Sequence, residues 1–161
     1  MNKMSALRLI GTATALAVSA AQAETIKSFS GHGSTVVLQF KEVPKDDGSK
    51  QVSFQTNAVL WIDKGDFSPG NLYGKCDGTG VIDKSGTYSG KLKCTHFINE
   101  KSNDTYTLNS DDDSDKGWTF TVTGGTGAFA GAKGGGSLTN KWRNESGDFF
   151  AFTYDTKLIF P

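Results

Sequence analysis

Apolar and polar side chains alternate along most of the chain beyond residue 23, which is the pattern of strands with one buried face. The alternation is clearest over residues 35–42, where Val36, Leu38 and Phe40 fall on one face, and over 51–62 and 88–98. No window combines a 3.6-residue apolar period with freedom from glycine and β-branched residues, so no helix is predicted. Further strands are predicted over residues 25–33, 72–82, 105–110, 118–123, 135–143 and 149–160.

Short strands separated by turn signals, without helical segments between them, indicate an all-β barrel or sandwich. The amphipathic strands favour a closed antiparallel barrel of about eight strands, because closure leaves no open sheet edge. Such a barrel is either filled by its own side chains or holds one small ligand, and the pattern leaves both alternatives open.

The first 23 residues have the organisation of a secretory signal. Lys3 and Arg8 precede an apolar run over residues 9–19, and Ala21-Gln22-Ala23 is a small-residue cleavage site. We therefore expect one barrel domain over residues 24–161 and a secreted or periplasmic location, with export from a bacterial cell. No later apolar run approaches the roughly 18 residues that a membrane helix needs, so no membrane span is predicted.

Charge argues against a nucleic-acid partner. The chain has 17 basic and 17 acidic residues, and removal of Lys3 and Arg8 with the signal leaves a slight acidic excess. A protein of this charge has no long-range attraction for nucleic acid or for an anionic membrane surface.

Cys76 and Cys94 are the two cysteines of the chain. An even count in an exported chain is best explained by a disulfide. Asp83-Lys84-Ser85-Gly86 is turn chemistry between two segments that can extend, and a hairpin centred near Ser85 places the two cysteines opposite each other.

Residues 121–134 hold the most distinctive motif, Thr-Val-Thr-Gly-Gly-Thr-Gly-Ala-Phe-Ala-Gly-Ala-Lys-Gly. A dinucleotide-binding loop would need a helix after the glycines, and Gly131, Gly134, Gly135 and Gly136 disfavour one by roughly 1 kcal/mol each. Clustered glycines instead permit a tight connection between two strands, and Phe129 can return to the core and hold it.

The motif resembles the V-x-GGTG-x-F-x-x-A-x-G signature of the allene oxide cyclase and dirigent barrel superfamily. The matching positions are Val122, Gly124, Gly125, Thr126, Gly127, Phe129, Ala132 and Gly134. The resemblance implies an eight-stranded barrel with an apolar cavity, assembled as a trimer like the plant members. Those members cyclise an unstable fatty-acid epoxide or orient phenoxy radicals, largely by shape. Their functional residues cannot be placed on this sequence one by one, so their activity does not follow from the fold.

The candidate ligand contacts are inward side chains whose ring carries a polar N–H or O–H group. His96 lies two positions after Cys94 and shares its face, although a hydrogen-bonded or hydrated position at the rim is the favoured interpretation. Rings of this kind also fill barrels that bind nothing. Trp61 has the opposite parity and is expected at the surface or at the rim. The candidate set is His96, Tyr106, Trp118, Trp142 and Tyr154.

The sequence offers no signature of a cofactor, a catalytic triad or a zinc site. Its two histidines, His32 and His96, have neither H-x-H nor H-E-x-x-H spacing. The acidic run 111–115 has carboxylates at alternate positions, as calcium loops do. Lys116 and Val122 stand where such a loop needs glycine and glutamate, so a solvated turn is favoured.

Three functions are compatible with these features. The leading one is an exported barrel that binds a small apolar or amphipathic molecule in its interior, without covalent chemistry. The second is a cyclase or isomerase like the plant members, with His96 or Tyr106 as the polar group in the cavity. The third is a structural or interaction protein of the cell envelope that uses exposed loops such as residues 63–71.

Overall fold

The computed structural model describes residues 24–68, 70–98, 103–114 and 117–161, and the predicted signal segment lies outside them. Eight strands form one closed barrel in which each strand pairs antiparallel with the next and β8 pairs with β1. The predicted all-β barrel is confirmed. The strands are β1 Thr25–Pro44, β2 Lys50–Gly65, β3 Gly70–Ile82, β4 Tyr88–Phe97, β5 Thr105–Ser114, β6 Gly117–Thr126, β7 Lys133–Arg143 and β8 Phe149–Phe160.

Alternate side chains of the strands point into the barrel and fill it. In β2 the buried positions follow a period of two, at Val52, Ala58, Leu60 and Ile62. The other walls contribute Leu72, Leu92, Leu108, Val122, Phe152 and Leu158. Removal of this apolar surface from water is the main force that holds the fold together. The middle of the barrel is therefore a packed core.

The two ends of the barrel differ. Turns join β1 to β2, β3 to β4 and β7 to β8 at one end of the barrel, where β5 also ends and β6 begins, and we call this the hairpin end. The connections β2–β3, β4–β5 and β6–β7 lie at the other end, together with the start of β1 and the end of β8, and we call this end the mouth. No helix in the described part of the chain is long and apolar enough to cross a bilayer.

Aspartates organise the turns at the hairpin end. One carboxylate oxygen of Asp83 accepts hydrogen bonds from the backbone of Ser85 at 2.8 Å and from its hydroxyl at 2.6 Å. Asp47 accepts the same pair of bonds from Ser49, at 2.9 and 2.6 Å. These bonds, the hydroxyl bond foremost, stabilise the ionised carboxylate and lower the pKa of both aspartates.

The predicted strands 25–33 and 35–42 are one continuous strand, β1. The common face expected for Val36, Leu38 and Phe40 is wrong, because a register shift at Leu38 separates the other two. Val36 pairs with the exposed Asn57, whereas Phe40 pairs with the half-buried Phe54. A bulge of this kind exchanges the two faces of a strand beyond it.

Strand β5 is longer than predicted. It continues to Ser114, through the first four residues of the acidic run that was expected to form a turn. Asp115 lies outside the described residues, and calcium binding there stays untested.

The predicted disulfide is confirmed. Cys76 and Cys94 are direct register partners on β3 and β4, and their sulfurs are bonded at 2.03 Å. Asp83, Ser85 and Gly86 form the turn between the two strands, as the turn chemistry predicts. The cross-link therefore ties two neighbouring walls together in the middle of the core.

Candidate functional site at the barrel mouth

The glycine motif forms the β6–β7 connection at the mouth. Gly127 has a φ of +57° and begins a single 3-10 turn, Gly127–Phe129, rather than the helix of a dinucleotide site. A Cβ at Gly127 would lie 2.0 Å from Oδ1 of Asp104, which accepts a hydrogen bond from the backbone of Ala128 at 2.8 Å. The turn directs Phe129 inward, where the side chain is 1% exposed. The predicted return of Phe129 to the core is confirmed.

The β2–β3 connection folds over the mouth. Asp66 fixes it to β1, since its backbone donates to the carbonyl of Ser28 at 2.9 Å and its carboxylate accepts from the Ser28 backbone at 2.7 Å. The next residue, Phe67, lies 5.4 Å from the ring of Phe29 and 5.6 Å from that of Phe129. The expectation that this loop presents its side chains to solvent is therefore wrong for Phe67, whose ring packs against the core.

A cavity of about 240 Å³ lies between this loop and the core. Asn71, which is exposed, is the one residue of polar type among the described residues that line it. Concave apolar sites with few polar groups are the usual form of a small-molecule site. The apolar walls are Phe29, Ile62, Phe67, Leu72, Ile98 and Phe129.

A buried polar pair lies directly beneath the cavity. Nδ1 of His96 and the hydroxyl of Tyr106 are 2.8 Å apart, and the Tyr106 ring contacts Phe129 at 5.2 Å between centroids. His96 is 7% and Tyr106 is 1% exposed, so His96 is hydrogen-bonded as expected but lies in the core rather than at the rim. Burial disfavours both charged forms. It lowers the pKa of His96 to about 4 and raises that of Tyr106, with Tyr154 adding to the rise. At neutral pH the pair is uncharged.

Burial of neutral His96 makes the stability of the fold depend on pH. The unfolded chain binds a proton near pH 6.5 and the folded protein only near pH 4. The contribution is complete above pH 6.5 and falls as the pH drops towards 4, by at most about 3 kcal/mol. Urea unfolding between pH 7.5 and 4.5 measures this slope. His96→Gln should flatten it, with His32→Gln as the control for loss of the exposed histidine, and an unchanged slope in His96→Gln would contradict the assignment.

His96 also lies beside the disulfide. One ligand atom each of Cys76, Cys94 and His96 lies within 4.8 Å of the others, which is a donor set that suits a soft metal. The two sulfurs are bonded to each other, so the imidazole is the single donor left. One donor does not form a structural zinc site.

The remaining candidate residues do not assemble with this pair. Tyr154 is buried against Phe29 and Phe152, and its hydroxyl donates to the carbonyl of Trp61 at 3.0 Å. Trp118 is half-buried, but it lies near the start of β6, whereas Tyr106 pairs with Gly125 at the other end of that strand.

The inward orientation expected for Trp142 is wrong. Trp142 follows a register shift in β7, is 56% exposed and contacts Phe149 on the outer surface. Trp61 lies at the surface as predicted, stacked on the ring of His32.

Most of the cavity wall was not predicted from the sequence. Phe29, Phe67, Leu72 and Ile98 come from four different elements and share no motif. The one signal available was a large aromatic side chain, Phe67, in a turn bounded by glycines, where a polar residue is the usual choice.

Comparison with known proteins supports the fold. No protein-family model and no curated protein matches the sequence. The structure is similar to that of the pterocarpan synthase dirigent protein GePTS1, with a TM-score of 0.53 and 15% identity over 93% of this chain and 97% of that one. It is also similar to the pterocarpan synthase dirigent protein PsPTS1, with a TM-score of 0.50 and 13% identity over 86% of this chain and 96% of the other. The chain therefore folds as a dirigent-type eight-stranded barrel.

Proposed function

We propose that this chain is an exported barrel protein that binds a small apolar or amphipathic molecule in the mouth cavity, without covalent chemistry. The observation that carries the proposal is the apolar cavity of about 240 Å³ beneath the Phe67 loop. At the roughly 30 Å³ that a water occupies in the liquid, this is space for about eight non-hydrogen atoms, or one ring with a short substituent. The dirigent-type fold adds support, because its resemblance implies an interior that holds or orients a ligand.

Binding without chemistry agrees with the position of the polar groups. His96 and Tyr106, the residues suggested for a cyclase or isomerase, are buried below the cavity and do not line it. A catalytic acid or base must come within hydrogen-bonding distance of the reacting atoms. Asn71, the one described residue of polar type along the cavity, is exposed and has no acidic or basic group.

The cavity is tested by filling it from the rim. Ile98 lines the cavity and is 40% exposed, so Ile98→Trp can place an indole there with little change to the core. Small neutral aromatics such as indole and toluene should raise the melting temperature of the natural protein, by the equivalent of about 1.4 kcal/mol at ten times the dissociation constant. The Ile98→Trp protein should show no such rise in a thermal-shift titration.

A matched variant controls for the added indole. Ile26→Trp makes the same replacement at an isoleucine that is 53% exposed and does not line the cavity, so it should respond to these probes as the natural protein does. Equal stabilisation of both tryptophan variants would place the ligand elsewhere. The absence of any response in the natural protein would leave an interaction protein as the better explanation.

We also propose that the barrel forms homo-oligomers, as the family resemblance implies. An outward groove of about 200 Å³ crosses β1–β4 and the start of β8, with walls that include Val36, Val59, Tyr73, Phe97 and Phe149. The outward residues of β6 between 119 and 123 are exposed threonines. The groove is also lined by Ser34, Thr35, Asn57 and Lys75, and its apolar part favours contact with a second barrel.

A further inference from the structure

A lysine, Lys27, lies beside Phe67, a residue that lines the mouth cavity. Lys27 lies two residues before the buried Phe29 on β1 and pairs with Leu158, which is fully buried, so it belongs to the inward face of the strand. Its side chain is half-buried. The stem thus lies along the barrel end, and the ammonium group is held above the core rather than in open solvent.

Two aromatic rings hold the ammonium group. Nζ of Lys27 is 4.9 Å from the ring centroid of Phe67 and 5.7 Å from that of Phe160. The Phe67 ring also forms a wall of the cavity, so a molecule in the cavity and the ammonium group share this ring. Cation–π contacts orient the charge without neutralising it.

Within the described part of the chain, no carboxylate lies within 4 Å of the ammonium group of Lys27. The ion pairs found there join Lys50 to Glu42 and His32 to Asp63. Asp66 precedes Phe67 on the loop at the mouth. Its carboxylate accepts a hydrogen bond from the backbone of Ser28, which faces outward on β1, and does not pair with Lys27. A half-buried ammonium group without a carboxylate partner is available to bind an anion, and its surroundings screen the charge less than bulk water does.

On the basis of the proposed function, we propose that the ligand is a small amphipathic carboxylate, with its apolar part in the cavity and its carboxylate on Lys27. The cavity accepts about eight non-hydrogen atoms, which matches a phenyl ring and a two-carbon chain with the acidic group at the edge. A long-chain fatty acid exceeds this space. The charge on Lys27 thus adds specificity to a site whose other contacts are apolar.

The charge dependence is tested with two ligands of equal size. The 3-phenylpropanoate anion and the neutral 3-phenylpropanamide have the same number of non-hydrogen atoms. Calorimetric titration at pH 7.5 and low salt should show the natural protein binding the carboxylate about tenfold more tightly than the amide. Lys27→Met should reduce this ratio to about one, chiefly by weakening the binding of the carboxylate, whereas Lys27→Arg should keep the preference.

A second lysine at the same end provides the control. Lys64 is exposed and pairs with Ser30 on β1, so Lys64→Met should retain the preference for the carboxylate. Equal affinity of the natural protein for the two ligands, or an unchanged ratio in Lys27→Met, would overturn the assignment and leave the cavity proposal standing. Failure of both ligands and of the neutral aromatic probes to bind the natural protein would overturn the two proposals together.

Discussion

Replacement of Phe129 by alanine is expected to lower the free energy of unfolding by about 4 kcal/mol. The side chain is 1% exposed, and its ring contacts Phe67 at 5.6 Å and Tyr106 at 5.2 Å. Removal of the ring deletes the contact through which the glycine-rich connection is fixed to the core, and it leaves a void that joins the mouth cavity. Urea unfolding followed by tryptophan fluorescence measures the loss.

An exposed phenylalanine provides the matched control. Phe40 is 53% exposed at the hairpin end, and Phe40→Ala should cost less than about 1 kcal/mol. Phe129→Leu should lie between the two, because it keeps part of the buried volume. Equal losses for Phe129→Ala and Phe40→Ala would contradict the role of Phe129 as the anchor of the motif.

Removal of the disulfide is expected to lower the free energy of unfolding by about 3 kcal/mol. The bridge joins residues 18 positions apart, and in the chain-entropy model it acts chiefly by restricting the unfolded chain. The native register of β3 and β4 does not depend on it, since a ladder from Tyr73 to Ile82 pairs these strands on both sides of Cys76. The Cys76→Ala/Cys94→Ala protein should therefore keep the barrel and unfold at a lower urea concentration.

Reduction of the natural protein separates the cross-link from the side chains. Cys76 and Cys94 are both buried, so alanine at these positions also removes packed sulfur atoms. The reduced natural protein retains the sulfurs, so its loss of stability measures the cross-link alone, and any larger loss in the double variant measures the packed sulfur atoms. A double variant as stable as the oxidised protein would contradict the expected contribution of the bridge.

Features that depend on neighbouring residues could be predicted from the sequence. The turn chemistry around Ser85 sets the hairpin register, and that register places Cys76 opposite Cys94. The glycines around Gly127 allow the backbone to reverse direction, and the apolar ring of Phe129 is then buried in the core. These inferences succeed because each depends on a few consecutive residues.

The candidate site could not be predicted in the same way. Phe67 lies in a segment with the composition of an exposed loop, yet it folds inward because the ring of Phe29 is close to it across the barrel end. Lys27 lies in a segment with no charge pattern, and its place beside the cavity depends on the pairing of β1 with β8. Alternation predicted the wrong relation of Val36 to Phe40 and the wrong face for Trp142. Register shifts lie close to these residues, and the sequence pattern does not reveal such shifts.

The sequence by itself determined that the chain is extended, where it turns between β3 and β4 and which two cysteines meet, since alternation, turn residues and hairpin register are properties of short segments. The tertiary structure alone decided which residues line the mouth cavity and that a lysine contacts the ring of Phe67 there. These residues come from several strands and two connections, and their meeting depends on how β1 closes onto β8 and on the bulges that shift each strand. That closure is a property of the whole ladder of strand pairs, and no short segment encodes it.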